Sequence, residues 1–133
     1  MTEFINRETG VEPDIHESVT VNGLVDCIHK ITIDKDAFFG HDVMLLTGSH
    51  DYNYFGEQRK LRGGGGPITI GEGAWIASRA IIIGPCRIGK HAVIGAGSVV
   101  THDVDDYCMV AGNPARIIKR YNHQQKKWDR VNI

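Results

Sequence analysis

Histidine is the side chain best suited to take up and return a proton near neutral pH, and of the seven in this 133-residue chain His50 has the most distinctive setting. It closes a regular stretch of sequence and is followed at once by an irregular segment, DYNYFGEQRKLRGGGG. A histidine placed at the mouth of such a segment can serve as a general base, with Asp51 next to it as a candidate to orient the ring. Tyr52, Tyr54 and Phe55 are suited to stack on the face of a pyranose, and Arg59, Lys60 and Arg62 to meet a diphosphate. A second set of cations, Arg116 and Lys119, pairs a guanidinium fork with a point charge, a combination that suits phosphate groups. The competing readings are a chance surface histidine, a disordered insertion and a solvated basic tail.

The remaining chemistry-bearing residues point elsewhere. His29, His41, His91 and His102 fall where side chains should face outward, and His16 and His123 lie near the ends. A three-histidine zinc site of the γ-carbonic anhydrase type needs two histidines five residues apart, and no pair here has that spacing. The three cysteines, Cys27, Cys86 and Cys108, make no metal or disulfide framework.

These residues must be positioned by a repeat. From Ile70 to Asp105 the chain reads IGEGAW, IASRAI, IIGPCR, IGKHAV, IGAGSV, VTHDVD. The first place holds Ile70, Ile76, Ile82, Ile88, Ile94 and Val100; the fifth holds Ala74, Ala80, Cys86, Ala92, Ser98 and Val104. A six-residue period fits strand alternation and not the 3.6-residue turn of a helix, so this is a repeat architecture. It predicts an all-β, three-sided prism in which each hexapeptide supplies one strand and one corner. The aliphatic first place points to the axis, and the fifth place has room only for a small side chain. An earlier and less regular run places Ile15, Val21, Cys27, Ile33, Phe39 and Leu45 first, and Val19, Val25, Ile31, Ala37, Val43 and Ser49 fifth. Phe39 and the larger fifth-place residues predict a wider or distorted beginning.

The motifs Trp75-Ile76-Ala77-Ser78, Ile94-Gly95-Ala96-Gly97-Ser98-Val99-Val100-Thr101, Ala111-Gly112-Asn113-Pro114-Ala115-Arg116 and Thr47-Gly48-Ser49-His50 resemble those of the hexapeptide-repeat acyltransferases, with the sugar O-acetyltransferases the nearest likeness. The resemblance covers most of the chain. It implies a left-handed parallel β-helix of about four coils and transfer of acetyl from acetyl-CoA to a sugar hydroxyl in polysaccharide biosynthesis, with no metal. It makes His50 the base and the Ser78 amide the oxyanion donor. Acetyl-CoA contacts carry over onto Ala96, Thr101, Arg116 and Lys119, and Trp75 would line the pantetheine tunnel or the acceptor pocket. The family also implies a homotrimer with its active site between prisms. The asparagine expected near the acceptor is out of register, with Asn22 the nearest substitute; Asp51, Tyr54 and Arg59 complete the candidate acceptor residues. N-acetylation of an amino-sugar nucleotide and a non-catalytic β-helix are the alternatives.

Length allows a single domain, divided here into coils over 15–50 and 70–105, a loop over 51–69 and a C-terminal cap over 106–133. Residues 1–14 read as a loosely held lead-in, and the tail as a segment folding back over the last coil with Trp128 as its anchor. The formal net charge of -1 argues against nucleic acid as a partner. MTEFINRETG lacks an apolar core and no apolar run approaches membrane-spanning length, which predicts a cytoplasmic protein without membrane insertion.

Overall fold

The structure, a computed structural model, describes residues 1–131. Asn132 and Ile133, the last two positions of the expected cap, lie outside the described residues. The chain winds around a prism with three walls, A, B and C. It lies in wall A as β1 (Thr2–Ile5), crosses B as β2 (Asp14–Ile15) and returns to A as β3 (Gly23–Asp26). It next circles through B, C and A as β4 (Ile31–Ile33), β5 (Phe38–Phe39) and β6 (Val43–Leu46). There it leaves the prism as a hairpin of β7 (Gly48–His50) and β8 (Gly63–Gly65), with a short helix α1 (Glu57–Leu61) at the tip. Two regular coils follow: β9 (Ile68–Ile70), β10 (Trp75–Ile76) and β11 (Ile81–Ile83), then β12 (Cys86–Ile88), β13 (Val93–Ile94) and β14 (Val99–Val100). After a bridge at Val104 the chain closes wall C with β15 (Cys108–Gly112), β16 (Ala115–Asn122) and β17 (Lys127–Arg130).

Successive strands of each wall pair in parallel, from β1 to β14 in A, β2 to β12 in B and β5 to β15 in C. In the regular coils Ile70 pairs with Ile88, Ile76 with Ile94 and Ile82 with Val100, so eighteen residues, or three hexapeptides, make one turn. The first-place side chains stack down the axis. Ile33, Leu45, Ile70, Ile76, Ile82, Ile88 and Ile94 are fully buried, as are Ala74, Ala80 and Ala92 at the corners. Burial of one such aliphatic side chain is worth roughly 1.5–3 kcal/mol, and repetition of the column is what gives a thin prism its core.

The ends of the repeat depart from the expected register. Val25, not Cys27, pairs with Leu45 and fills the first-place column of wall A. The corner after it is longer because Asp26 and Thr47 clasp one another there, Thr47 Oγ1 donating to the Asp26 carbonyl at 2.7 Å. Val104 bridges Ile88 and so also takes a first-place position, not a fifth; the final turn is two residues short, and Val110 pairs with Ile94. Ser49 is exposed instead of inward because the chain has already left the wall after Leu46.

Residues 1–14 are not loosely held. β1 pairs with β3 along its whole length, and Val11 N–H donates to the Cys27 carbonyl at 2.7 Å. A Cβ on Gly10 would lie 1.8 Å from that same carbonyl oxygen, so only glycine allows the approach. The excursion runs from Gly48 to Gly65, earlier than the expected 51–69, with wall B resuming at Ile68. At the other end β15 extends wall C in parallel, and β16 and β17 turn back antiparallel beside it. Ala115 and Ile117 pack against the end of the core, and Trp128 meets Tyr121 edge-on at 5.4 Å. No helix among the described residues is long and apolar enough to cross a membrane.

Candidate active site

His50 stands outside the prism, at the outer end of the hairpin's short stalk. It pairs with Gly63 across the antiparallel stalk, while Ser49 faces Gly64 and Gly48 faces Gly65. Gly63–Gly65 of the glycine tract are thus the second strand of the stalk. A strand without side chains leaves open space beside the imidazole, and a cleft of about 680 Å³ lies there. Asn6, Asp26, Ile28 and His29 line it together with both strands of the stalk.

Asp26 is only 5% exposed, and its carboxylate is fully engaged. Oδ2 accepts from Gly48 N–H at 2.7 Å, and Oδ1 accepts from Asn6 Nδ2 at 2.9 Å and from Ile28 N–H at 3.3 Å. His29 N–H donates to Thr47 Oγ1 at 2.9 Å, and His29 Nε2 lies 3.1 Å from the Gly64 carbonyl oxygen. That carbonyl can only accept, so Nε2 carries the proton.

The hairpin tip uses its own charges. Arg59 donates to the carbonyls of Tyr54 and Tyr52 and lies 4.8 Å over the Phe55 ring; Arg62 covers Tyr54 at 4.2 Å. Lys60 pairs with Glu57 at 3.1 Å. Asp51 Oδ1 accepts from Asn53 N–H at 3.0 Å in a local turn, and is not spent on His50. Asn22 binds the amino terminus at 2.7 Å and does not line the cleft.

Of the residues carried over for the donor, all but Thr101 collect on wall C and its edge with wall A. Trp75, Val93, Met109 and Lys119 are successive partners across wall C, and Phe38 continues the column as the stacked neighbour of Trp75 at 5.8 Å. Strands stand about 4.8 Å apart, so Trp75 and Lys119 mark the two ends of an outward strip roughly 14 Å long. Arg116 lies on β16, paired with Ala111, and its guanidinium reaches only the adjacent Ala115 carbonyl, at 3.2 Å. Ser78 and Ala96 occupy the corner between C and A. Ser78 Oγ accepts from His41 N–H at 3.0 Å and its carbonyl accepts from Gly97 N–H at 2.9 Å. Its own N–H has no acceptor among the described residues. Thr101 follows β14 at the opposite edge of wall A, the edge from which the hairpin departs.

His50 and Ser78 are therefore on different corners of one chain. The width of wall A separates them, about five residues at 3.3 Å each or roughly 16 Å, whereas a base and an oxyanion donor must both lie about 3 Å from the reacting atoms. Cys86 offers no alternative nucleophile: burial pushes its thiol up to about 12. Among the described residues no group of three His, Cys, Asp or Glu side chains could hold a metal ion.

The sequence did not single out Asn6, Asp26 or His29. They lie 21 to 44 positions from His50 and meet it only because the first coil and the hairpin share an edge. No local signal in the sequence marked them; the shift of register around Asp26 appears only in the strand pairing.

Residues 67–102 match the family model described as bacterial transferase hexapeptide, six repeats. The galactoside O-acetyltransferase of Escherichia coli K12 is 34% identical over 104 residues, covering 75% of this chain and 49% of that protein. A galactoside acetyltransferase solved in complex with coenzyme A superposes with a TM-score of 0.71 at 32% identity, covering 84% of this chain and 57% of that one. A hexapeptide-repeat acetyltransferase of Vibrio cholerae, solved with acetyl coenzyme A, gives a TM-score of 0.68 at 28% identity, with 90% and 60% coverage. This chain thus spans less than two thirds of each of these relatives. Residues 67–102 thus carry the bacterial transferase hexapeptide repeat, and the fold is the left-handed parallel β-helix.

Proposed function

We propose that this chain is an acetyltransferase that moves an acetyl group from acetyl-CoA to a hydroxyl of a sugar or sugar-containing precursor, acting as a homotrimer in the cytoplasm. The observation that carries the reading is the exposed His50 on the hairpin's stalk, bordering an open cleft lined by polar side chains. His50 takes the proton of the acceptor hydroxyl as its oxygen attacks the thioester carbonyl. The Ser78 N–H, which has no acceptor among the described residues, receives the oxyanion of the tetrahedral intermediate. Collapse breaks the carbon–sulfur bond, and the imidazolium returns its proton to the departing thiolate. The apolar strip from Phe38 to Met109 suits the pantetheine arm, while Arg116 and Lys119 suit the phosphates of the coenzyme. Asn22, held by the amino terminus, is a weaker candidate for the acceptor than the side chains around His50.

The separation of the two corners supports the trimer. The hairpin edge of one protomer, with His50 and Thr101, would face the C–A corner of the next, with Ser78 and Ala96. Wall A also presents an outward apolar row, Leu24, Met44, Ile81 and Val99, paired in register, and Met44 is 39% exposed in the isolated chain. Such a row on a thin prism suits an interface between copies.

The test is His50→Ala. A general base contributes typically 10²–10⁴-fold, so turnover with a sugar acceptor should fall by about that factor while acetyl-CoA binding by calorimetry stays unchanged. Retention of more than about half of the turnover would remove His50 as the base.

A further inference from the structure

We propose that Asp26 and His29 are positioning residues that clamp the two strands of the hairpin and so fix His50 where it acts; the inference rests on His50 being the base. The hairpin has little else to hold it. Its helix buries no residue, and Tyr52, Phe55 and Leu61 at the tip are exposed. The stalk is only three residues per strand, with glycine throughout one side.

The corner from Asp26 to His29 grips each strand once. Asp26 Oδ2 holds β7 through Gly48 N–H at 2.7 Å, and His29 Nε2 holds β8 through the Gly64 carbonyl at 3.1 Å. Thr47 locks the grip to the corner itself, donating to the Asp26 carbonyl and accepting from His29 N–H. Asn6 supports the carboxylate from β1's side of the wall at 2.9 Å. His29 and His50 thus line one cleft with different duties. The first binds backbone, and the second has no side-chain partner among the described residues.

The experiment compares wild type with His29→Phe, which keeps a ring and loses the donor, and His29→Gln, whose amide can restore one. Asp26→Asn is the partner variant, since it sets an amide donor against Gly48 N–H or Asn6 Nδ2. Two readouts are taken on each variant of the 133-residue chain: hydrogen exchange over the segment Gly48–Gly65, and kcat with KM for acetyl-CoA. His29→Phe and Asp26→Asn should each speed exchange at least fivefold and lower kcat at least tenfold, with KM for acetyl-CoA within twofold of wild type and the thermal midpoint retained. His29→Gln should recover most of both losses. Unchanged exchange in both variants would overturn the clamp, and faster exchange with unchanged kcat would overturn its positioning role. The exchange measurement also separates the two hypotheses. If His50→Ala kept its turnover, the base assignment would fail, and exchange would still decide whether Asp26 and His29 hold the hairpin.

Discussion

Gly65 and Gly63 lie in the same glycine tract, yet the structure makes one of them indispensable and the other replaceable. Gly65 has φ of +83°, and a Cβ there would lie 2.0 Å from the Thr47 carbonyl oxygen. That oxygen cannot easily retreat, because it accepts from Gly66 N–H at 3.0 Å at the base of the stalk. The left-handed conformation costs a non-glycine residue roughly 1–2 kcal/mol, and loss of one stalk hydrogen bond adds about 1–2 kcal/mol. Gly65→Ala should therefore weaken the closed hairpin by on the order of 2–4 kcal/mol, or roughly 30- to 700-fold in its closing equilibrium. A Cβ on Gly63 meets nothing within 4 Å, so Gly63→Ala should leave the closing equilibrium of the hairpin close to that of wild type. Both variants keep the prism core intact, and circular dichroism should show similar unfolding for the two. Hydrogen exchange over Gly48–Gly65 and kcat should part them by at least tenfold, with Gly65→Ala the slower enzyme and the faster exchanger. Indistinguishable behaviour of the two variants would refute the argument that the backbone of β8 sets the position of His50.

Two further outcomes are expected. Arg116→Ala and Lys119→Ala should each raise KM for acetyl-CoA more than they lower kcat, because they contact a remote part of the donor; kinetics identical to wild type would leave them as surface cations. Sites shared between protomers should also complement: His50→Ala chains, co-refolded with equal amounts of Ala96→Trp chains whose donor site is blocked, should regain up to about a quarter of wild-type activity in a closed, symmetric ring. No recovery in mixed assemblies, or a fully active monomer in sedimentation, would refute the shared site.

The central coils were legible because their code is local. An aliphatic residue every sixth position and a small one four places later can be satisfied only by a wall and a corner, and Ile70 to Val100 keep that register throughout. Where the register slipped, the letters could not reveal it. Val25 and Cys27 are both apolar and both buried, and either fits the column. Only the clasp between Asp26 and Thr47 decides for Val25. Val104 is the same case at the other end, since a shortened turn leaves no mark on residue types. The glycine tract gave no sign of a strand because glycine carries no strand preference; the pairing of Gly63–Gly65 with Gly48–His50 is imposed by the partner strand. The clamp residues were not legible at all. His29 met the rule for an outward-facing histidine, and its hydrogen bond to Gly64 spans an excursion whose path the sequence does not encode.

The prism itself explains why the proposed base sits off it. Along each wall, side chains alternate between an axis packed with aliphatic residues and a flat outer face, so a wall can present a surface but cannot enclose a substrate. Enclosure needs either a second prism or a segment that leaves the first. This chain has the second device at one edge of wall A, and it spends its least bulky residues there: with no side chains on Gly63, Gly64 and Gly65, the cleft extends to the backbone of β8. The cost is a stalk with almost no packing of its own. Its placement then falls to hydrogen bonds from the neighbouring corner, which is why a carboxylate that is 5% exposed and a histidine with a backbone partner stand beside the residue proposed to act.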